Sequence, residues 1–304
     1  MIRYILINIA SIFRKLPEFK GKYRLGLFIQ SVLVGKKGFG ENSSIIISLK
    51  NRTKMLIDIR ANTHKLPFWT GKYDQKLIEK ITSLFKSGWT VFDIGANIGY
   101  YTIPFALELK ELNGQVYSFE PIKRNFEILE KNILLNNIEK VCKLYNIALG
   151  NEEGEVLMSF TENASTGNAC LIKGKIQEAG FVANDIAKIT RMDSFKKNHN
   201  IKSCDFIKMD IEGAELFFIQ GAQEFLRINT PIIFGEFNSF FMKKFGFGIE
   251  SVWAILEPIG YKCYRLIDHH RALFEPCKPY DSVEDLIFIP ENKLNYQDLQ
   301  TLLQ

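Results

Sequence analysis

The sequence predicts an α/β fold: a doubly wound, mostly parallel sheet of seven strands behind an N-terminal helical and β-hairpin appendage. Three observations carry this reading. Apolar strand segments alternate with segments of helical periodicity from Tyr73 onward. The apolar strand Val91-Phe92-Asp93-Ile94 runs into a glycine-rich turn that opens a helix. The next strand ends in an acid, Glu120, 21 residues after Gly99.

The elements follow in order. Residues 1–40 mix apolar residues with Lys and Arg at helical spacing, broken by Pro17 and Gly21, and Gly35, Gly38 and Gly40 mark a loop. Residues 44–49 and 55–59 flank the polar turn Lys50-Asn51-Arg52 and read as a hairpin. Leu77, Ile78, Ile81, Leu84 and Phe85 recur as one helix face, ended by Gly88. Strands at 90–94, 115–119 and 141–147 alternate with helices at 101–109 and 123–135. Residues 150–200 interrupt the pattern with one short strand, 155–160, and a polar stretch, 161–174, read as an insertion able to cover a ligand. The alternation resumes with strands at 204–209 and 231–237 and helices at 214–226 and 249–256. Residues 261–266 and 286–289 form a closing pair of strands. The chain thus divides into an appendage (1–64), a main domain (65–292) and a tail (293–304).

Composition narrows the class. Of 304 residues 46% are apolar, enough for a sizeable core, and the net charge of +5 is too mild to require a nucleic-acid partner. Five cysteines without a CxxC pair argue against a disulfide framework or zinc site and for a reducing, cytoplasmic setting. The apolar run 5–13 is too short to span a bilayer, where about 20 residues are needed. Weak contact with a membrane surface through the N-terminus is the most it implies.

The turn Asp93-x-Gly95-x-Asn97-x-Gly99 admits three readings. The nicotinamide fingerprint GxGxxG differs in spacing, and a carboxylate at Asp93 would repel a pyrophosphate. A phosphate-binding P-loop lacks its Lys-Ser/Thr. The cationic amino-acid end of S-adenosylmethionine suits Asp93. Glu120 can accept both ribose hydroxyl protons in either nucleoside cofactor.

At these residues the chain resembles the FkbM family of class I, Rossmann-like methyltransferases. The resemblance rests on Val91 to Thr102, Phe119-Glu120-Pro121, Asn146 to Gly150, and above all Lys208-Met209-Asp210-Ile211-Glu212-Gly213-Ala214-Glu215. It implies S-adenosylmethionine as cofactor, with Asp93, Gly95, Asn97 and Gly99 along its methionine end, Glu120 on the ribose and Asn146 near the adenine. Tyr73-Asp74 stands where the family shows Tyr-Glu, which puts Tyr73 at the cofactor. The resemblance also implies O-methylation of a hydroxyl on a sugar, glycan or small natural product.

Methyl transfer to a hydroxyl needs alignment and a base. Asp210, at the end of the fourth strand, is the first candidate, and Glu212 follows two residues on. Glu236 and Asn238 end the fifth strand and face the same crevice. With Asp210 they could bind a divalent cation through oxygen, but hydrogen bonding to substrate without a metal is the favoured reading. His64 is a further candidate for base or substrate contact, although a lone His is more often structural. His269-His270 reads as a solvated loop pair. Trp69, Phe240, Phe241, Phe245 and Phe247 could wall a sugar ring, with core packing the commoner role for most. A nucleic-acid methyltransferase would show an NPPY or DPPY motif, which is absent. A nicotinamide oxidoreductase is disfavoured by the turn spacing. A non-catalytic binding module is disfavoured by the presence of Asp210.

Overall fold

Both faces of each central strand are apolar, so the sheet must be covered on both sides. Val91, Phe206, Ile232 and Phe234 join one core cluster, while the alternating Phe92, Ile207 and Ile233 join another. The structure is a computed structural model, and it describes residues 2–34, 43–51, 53–161, 165–172, 183–269, 271–279 and 283–303.

Helices α1 (Ile2–Lys15) and α2 (Lys22–Val34) come first, parted at Pro17 and Gly21 as their sequence demands. Strands β1 (Ser44–Ser48) and β2 (Lys54–Asp58) form a separate antiparallel hairpin. Helix α3 (Asn62–Thr70), to which the sequence reading assigned no element, carries Pro67 inside it. Its burial of Phe68 and Trp69 outweighs the weak local propensity. Helix α4 (Gln75–Thr82) buries Leu77, Ile78 and Ile81.

The Rossmann-like core then runs β3 (Thr90–Ile94), α5 (Thr102–Glu111), β4 (Gln115–Phe119), α6 (Lys123–Leu135) and β5 (Cys142–Tyr145). After β6 (Ala148–Gly150), β7 (Gly154–Thr161), β8 (Ser165–Ile172), β9 (Ala183–Arg191) and α7 (Met192–His199) come β10 (Phe206–Met209), α8 (Glu215–Gly221), α9 (Gln223–Asn229) and β11 (Ile232–Asn238). The chain closes with α10 (Ser239–Lys244), α11 (Ile249–Leu256), β12 (Tyr261–Asp268), β13 (Leu273–Pro276) and β14 (Val283–Pro290).

The main sheet has the order β13-β12-β14-β11-β10-β3-β4-β5. From β5 to β11 the ladders are parallel; β14, β12 and β13 add antiparallel to that edge. The seven expected strands are all present, and β13 is an eighth at the edge. The order reverses direction between β3 and β10, and the crevice at their carboxyl ends is where open α/β sheets bind ligands.

Residues 150–200 hold more structure than expected. β6 to β9 form their own four-stranded sheet, order β6-β9-β7-β8, with β7 antiparallel to both neighbours. Much of the polar stretch 161–174 belongs to β8; residues 162–164 and 173–182 lie outside the described ones, as do His270 and the glycines at 35, 38 and 40. The single helix expected at 214–226 is divided at Ala222 into α8 and α9. Gly221 packs there so tightly that a Cβ would sit 1.8 Å from Gly150 O.

Candidate active site

The turn after β3 owes its shape to three residues with positive φ: Gly95 (77°), Asn97 (51°) and Gly99 (99°). Gly95 and Ala96 both donate backbone N–H to Phe119 O, at 2.9 and 3.0 Å. A Cβ on Gly95 would lie 1.9 Å from Asp210 O, so only glycine lets the turn close on the end of β10. The Asn97 N–H donates to Glu120 Oε2 at 2.8 Å.

A cavity of about 650 Å³, counted with the solvent at its mouth, opens beside this turn. Its polar wall is Gly95, Asn97, Glu120, Asp210 and Glu212; its apolar wall includes Phe119, Ile122, Leu149 and Met158. Glu120 also accepts from Ile122 N at 2.9 Å and Asn125 Nδ2 at 3.4 Å, and burial pushes its pKa up to about 7. Asn97 Oδ1 is buried without a hydrogen-bond donor, an acceptor left for a ligand to satisfy. Gly99 lies behind the turn, its missing Cβ making room for Leu129 Cδ1 at 2.8 Å.

Three expected contacts fall elsewhere. Asp93 is buried beneath the turn: Thr102 Oγ1 donates to its Oδ2 at 2.6 Å, and Lys208 Nζ lies 3.5 Å from Oδ1. Its carboxylate therefore braces the turn and is not on the cavity wall. Asn146 donates through Nδ2 to Glu120 O and Pro121 O, at 2.8 and 3.0 Å, holding the backbone that carries Glu120. Ile147 and Leu149 line the cavity at that end instead. His64 is buried against the backbone of Asp58, with Nδ1 3.0 Å from Asp58 O, and its ring meets Tyr100 edge-on. Burial lowers its pKa to about 4, which suits a neutral packing residue. Tyr73 stacks on the other ring of this group, Tyr100, at 4.0 Å between centroids. Desolvation raises its phenol pKa, and the charges of Asp74, Asp210 and Glu236 add to that.

Lys208 was missed as a site residue. It is a buried lysine on β10, with Nζ 3.5 Å from Asp93, 3.6 Å from Asp210 Oδ2 and 3.3 Å from Gly95 O. It also lies 5.0 Å from the centre of the Tyr101 ring. The readable signal was a lysine inside an otherwise apolar buried strand, Phe206-Ile207-Lys208-Met209, where a charge must have partners.

Around Asp210 the charge is acidic. Desolvation first, then repulsion from Asp210, raises Glu212 to about 8 and also raises Glu236. Asp285 is raised to about 7 by desolvation and by repulsion from Glu236. Glu212 itself has φ 52°, a strained backbone for a residue with a side chain. Its neighbour Gly213 (φ 95°) packs against Phe241, whose Cβ would be 2.7 Å from an added methyl. Glu215 is buried, takes the Gly213 N–H at 3.1 Å, and is raised by burial to about 7. The Asn238 side chain caps α10, accepting from Phe240 N and Phe241 N, so its oxygen does not face the crevice as a free ligand. Among the described residues no set of three His, Cys, Asp or Glu is arranged to hold a metal ion. His269 sits 3.6 Å from Asp285. Trp69 is buried against α2, whereas Phe240 is exposed beside Phe241.

These raised carboxyls make a pH prediction. In the unfolded chain they ionise near 4.5, whereas in the folded chain Glu120, Glu215 and Glu212 hold their protons to about 7, 7 and 8. At these three carboxyls the folded state binds more protons between these values, which outweighs the opposite contribution of His64 below its ordinary 6.5, so stability falls as pH rises. The ligand-free melting temperature should drop by on the order of 5 °C from pH 5 to pH 8, and Glu212→Gln should flatten the slope. A melting temperature that rises over this range would refute the assignment.

The Methyltransferase FkbM domain model matches residues 93–263, more than half of the chain. The chain belongs to the FkbM methyltransferase domain family. Its relatives include Methyltransferase 1 of Beauveria bassiana (strain ARSEF 2860), 24% identical over 151 residues, which are 44% of this chain and 58% of that protein. Methyltransferase sdnD of Sordaria araneosa is 24% identical over 160 residues, 44% of this chain and 60% of that protein. The match thus spans about three fifths of the length of these curated relatives. Among solved structures, Methyltransferase FkbM from Methylobacillus flagellatus KT aligns at TM-score 0.43 and 16% identity, over 67% of this chain and 44% of that one. TYW2 of M. jannaschii in complex with AdoMet aligns at TM-score 0.42 and 16% identity, over 82% and 86%.

The cofactor of the FkbM domain is S-adenosylmethionine. The residues present fit it. Glu120 offers carboxylate oxygens for a ribose diol, the unsatisfied Asn97 Oδ1 offers an acceptor, and the apolar wall suits a purine. The carboxylate of Asp210 on the same wall complements a cation.

Proposed function

We propose that this FkbM domain O-methylates a hydroxyl of an uncharged, polyhydroxylated acceptor, a sugar, glycan or small natural product. The carrying observation is Asp210, which lines the cofactor cavity, has Lys208 Nζ 3.6 Å from its Oδ2, and lies near enough to Glu236, Asp285 and Asp74 for its charge to raise their pKa values. In this reading Glu120 holds the ribose, Gly95 and Asn97 flank the methionine end, and Asp93 and Gly99 shape the turn from behind. When bound, S-adenosylmethionine supplies an electrophilic methyl group. Asp210 takes the proton of the acceptor hydroxyl, with Lys208 at 3.6 Å as a fixed counter-ion. Glu236 and Glu212, raised toward the neutral form, can donate as well as accept hydrogen bonds to hydroxyls. Separating neighbouring carboxyls into ionised and protonated forms is a recurrent way to assign base and donor. The exposed Phe240 ring, on α10 directly after β11, offers an apolar face for such an acceptor.

Calorimetric titration with S-adenosylmethionine, S-adenosylhomocysteine and NAD tests the reading. The first two should bind and NAD should not. Absence of binding by both sulfur nucleosides would overturn it.

A further inference from the structure

Residues 2–34 form a helical hairpin that rests on α3 through one face. From α1, Leu6 and Ala10 are buried, and Arg14 Nη1 donates to Phe68 O at 2.7 Å. From α2, Gly26 meets Trp69 so closely that a Cβ would lie 2.4 Å from the indole, and Gln30 Oε1 accepts from Trp69 Nε1 at 3.0 Å. The opposite faces are apolar and lie in solvent. Tyr4, Ile5 and Ile12 on α1, Leu16 and Phe19 in the link, and Leu25, Phe28 and Val32 on α2 are all exposed. The last three recur at three- and four-residue spacing, the mark of one helical stripe. Half of the sixteen exposed large apolar side chains among the described residues fall in this segment.

The charge is equally concentrated. Residues 2–34 hold six basic residues (Arg3, Arg14, Lys15, Lys20, Lys22, Arg24) and one acid (Glu18), a net of 6 − 1 = +5. That equals the net charge of the whole chain, so the remaining residues sum to zero. Lys15, Lys20 and Arg24 are exposed next to the apolar stripe. No helix among the described residues is long and apolar enough to cross a membrane.

We propose that this hairpin is a docking face that seats the protein on an anionic phospholipid bilayer. Exposed apolar side chains enter the headgroup–acyl boundary while the adjacent Lys and Arg meet lipid phosphates, the two attractions that together hold an interfacial helix. A second copy of the chain is a poorer occupant, because a two-fold contact would set one +5 surface against another. The proposal stands independently of the methyl-transfer chemistry.

Flotation of the full chain with vesicles tests it. Phosphatidylcholine–phosphatidylglycerol vesicles should carry the protein, phosphatidylcholine vesicles should not, and high salt should release it. The triple charge reversal Lys15→Glu/Lys20→Glu/Arg24→Glu, and separately Phe28→Ser/Val32→Ser, should each weaken vesicle binding at least about tenfold. Both sets are exposed, and unchanged melting and S-adenosylmethionine binding would show that the fold is intact. Salt release of the unaltered chain supplies a reading that needs no variant. No flotation with anionic vesicles, equal flotation with neutral ones, or a dimer in vesicle-free sedimentation that Phe28→Ser/Val32→Ser dissolves would each overturn the proposal.

Discussion

Lys208→Met should lower stability by about 3–5 kcal/mol at neutral pH, the scale of a buried ion pair losing one partner. The lysine is 4% exposed and Asp93 is fully buried, so neither charge can turn to water when the other is removed. Methionine keeps the length of the stem but leaves the Asp93 carboxylate with Thr102 Oγ1 as its remaining donor. Desolvation already raises the Asp93 pKa, and Lys208 opposes that rise. Without the lysine the pKa climbs further, so the variant's stability should fall more steeply than wild type as pH rises above the unfolded value of Asp. Asp93→Asn/Lys208→Met should recover part of the loss, because the amide can keep the Thr102 contact without a charge. Denaturant unfolding at two pH values measures all three chains. If Lys208→Met unfolds with the wild-type midpoint, the lysine is not the partner of Asp93. Asp93→Ala should likewise show its effect as lost stability before lost cofactor contact.

Asp210→Asn should leave S-adenosylmethionine affinity within a few fold and lower kcat by about 10²–10⁴, the usual yield of a positioned general base. The amide has nearly the shape of the carboxylate but cannot take a proton. The Asp210 side chain is 37% exposed, so the change should cost little stability. Glu120→Ala should show the opposite split: weak cofactor binding with the acceptor side untouched. The measurement is transfer of isotope-labelled methyl to any hydroxyl acceptor that supports turnover, paired with cofactor calorimetry on each variant. Full turnover by Asp210→Asn would remove Asp210 from the role of base.

Much of the site was legible because it is local in sequence. The positive-φ turn 95–99 follows from its glycines and asparagine, and Glu120 stands where a βαβ unit places the end of the next strand. The carboxylates of the Asp210 block sit after an apolar strand, and the strand end puts them at the crevice. The partners were less legible. Asp93 and Lys208 are 115 positions apart and meet because β3 and β10 are parallel with those two residues in register. Asn146 was placed at the correct strand end, but which way its amide turns depends on the backbone oxygens of Glu120 and Pro121. His64 carried a reactive group but no information on depth, and the depth is set by α3 packing on the hairpin and on Tyr100.

The sequence by itself determined the layered α/β order, the turn, the acid after the second strand and the family of the chain. These depend on periodicity and on the conformations that glycine allows, which act over a few residues. Only the tertiary structure decided which carboxylates face the cavity, which are spent on Lys208 and on backbone donors, and that the 150–200 region is a second sheet. Those outcomes depend on desolvation and on strand register, and both arise only when distant segments are packed together.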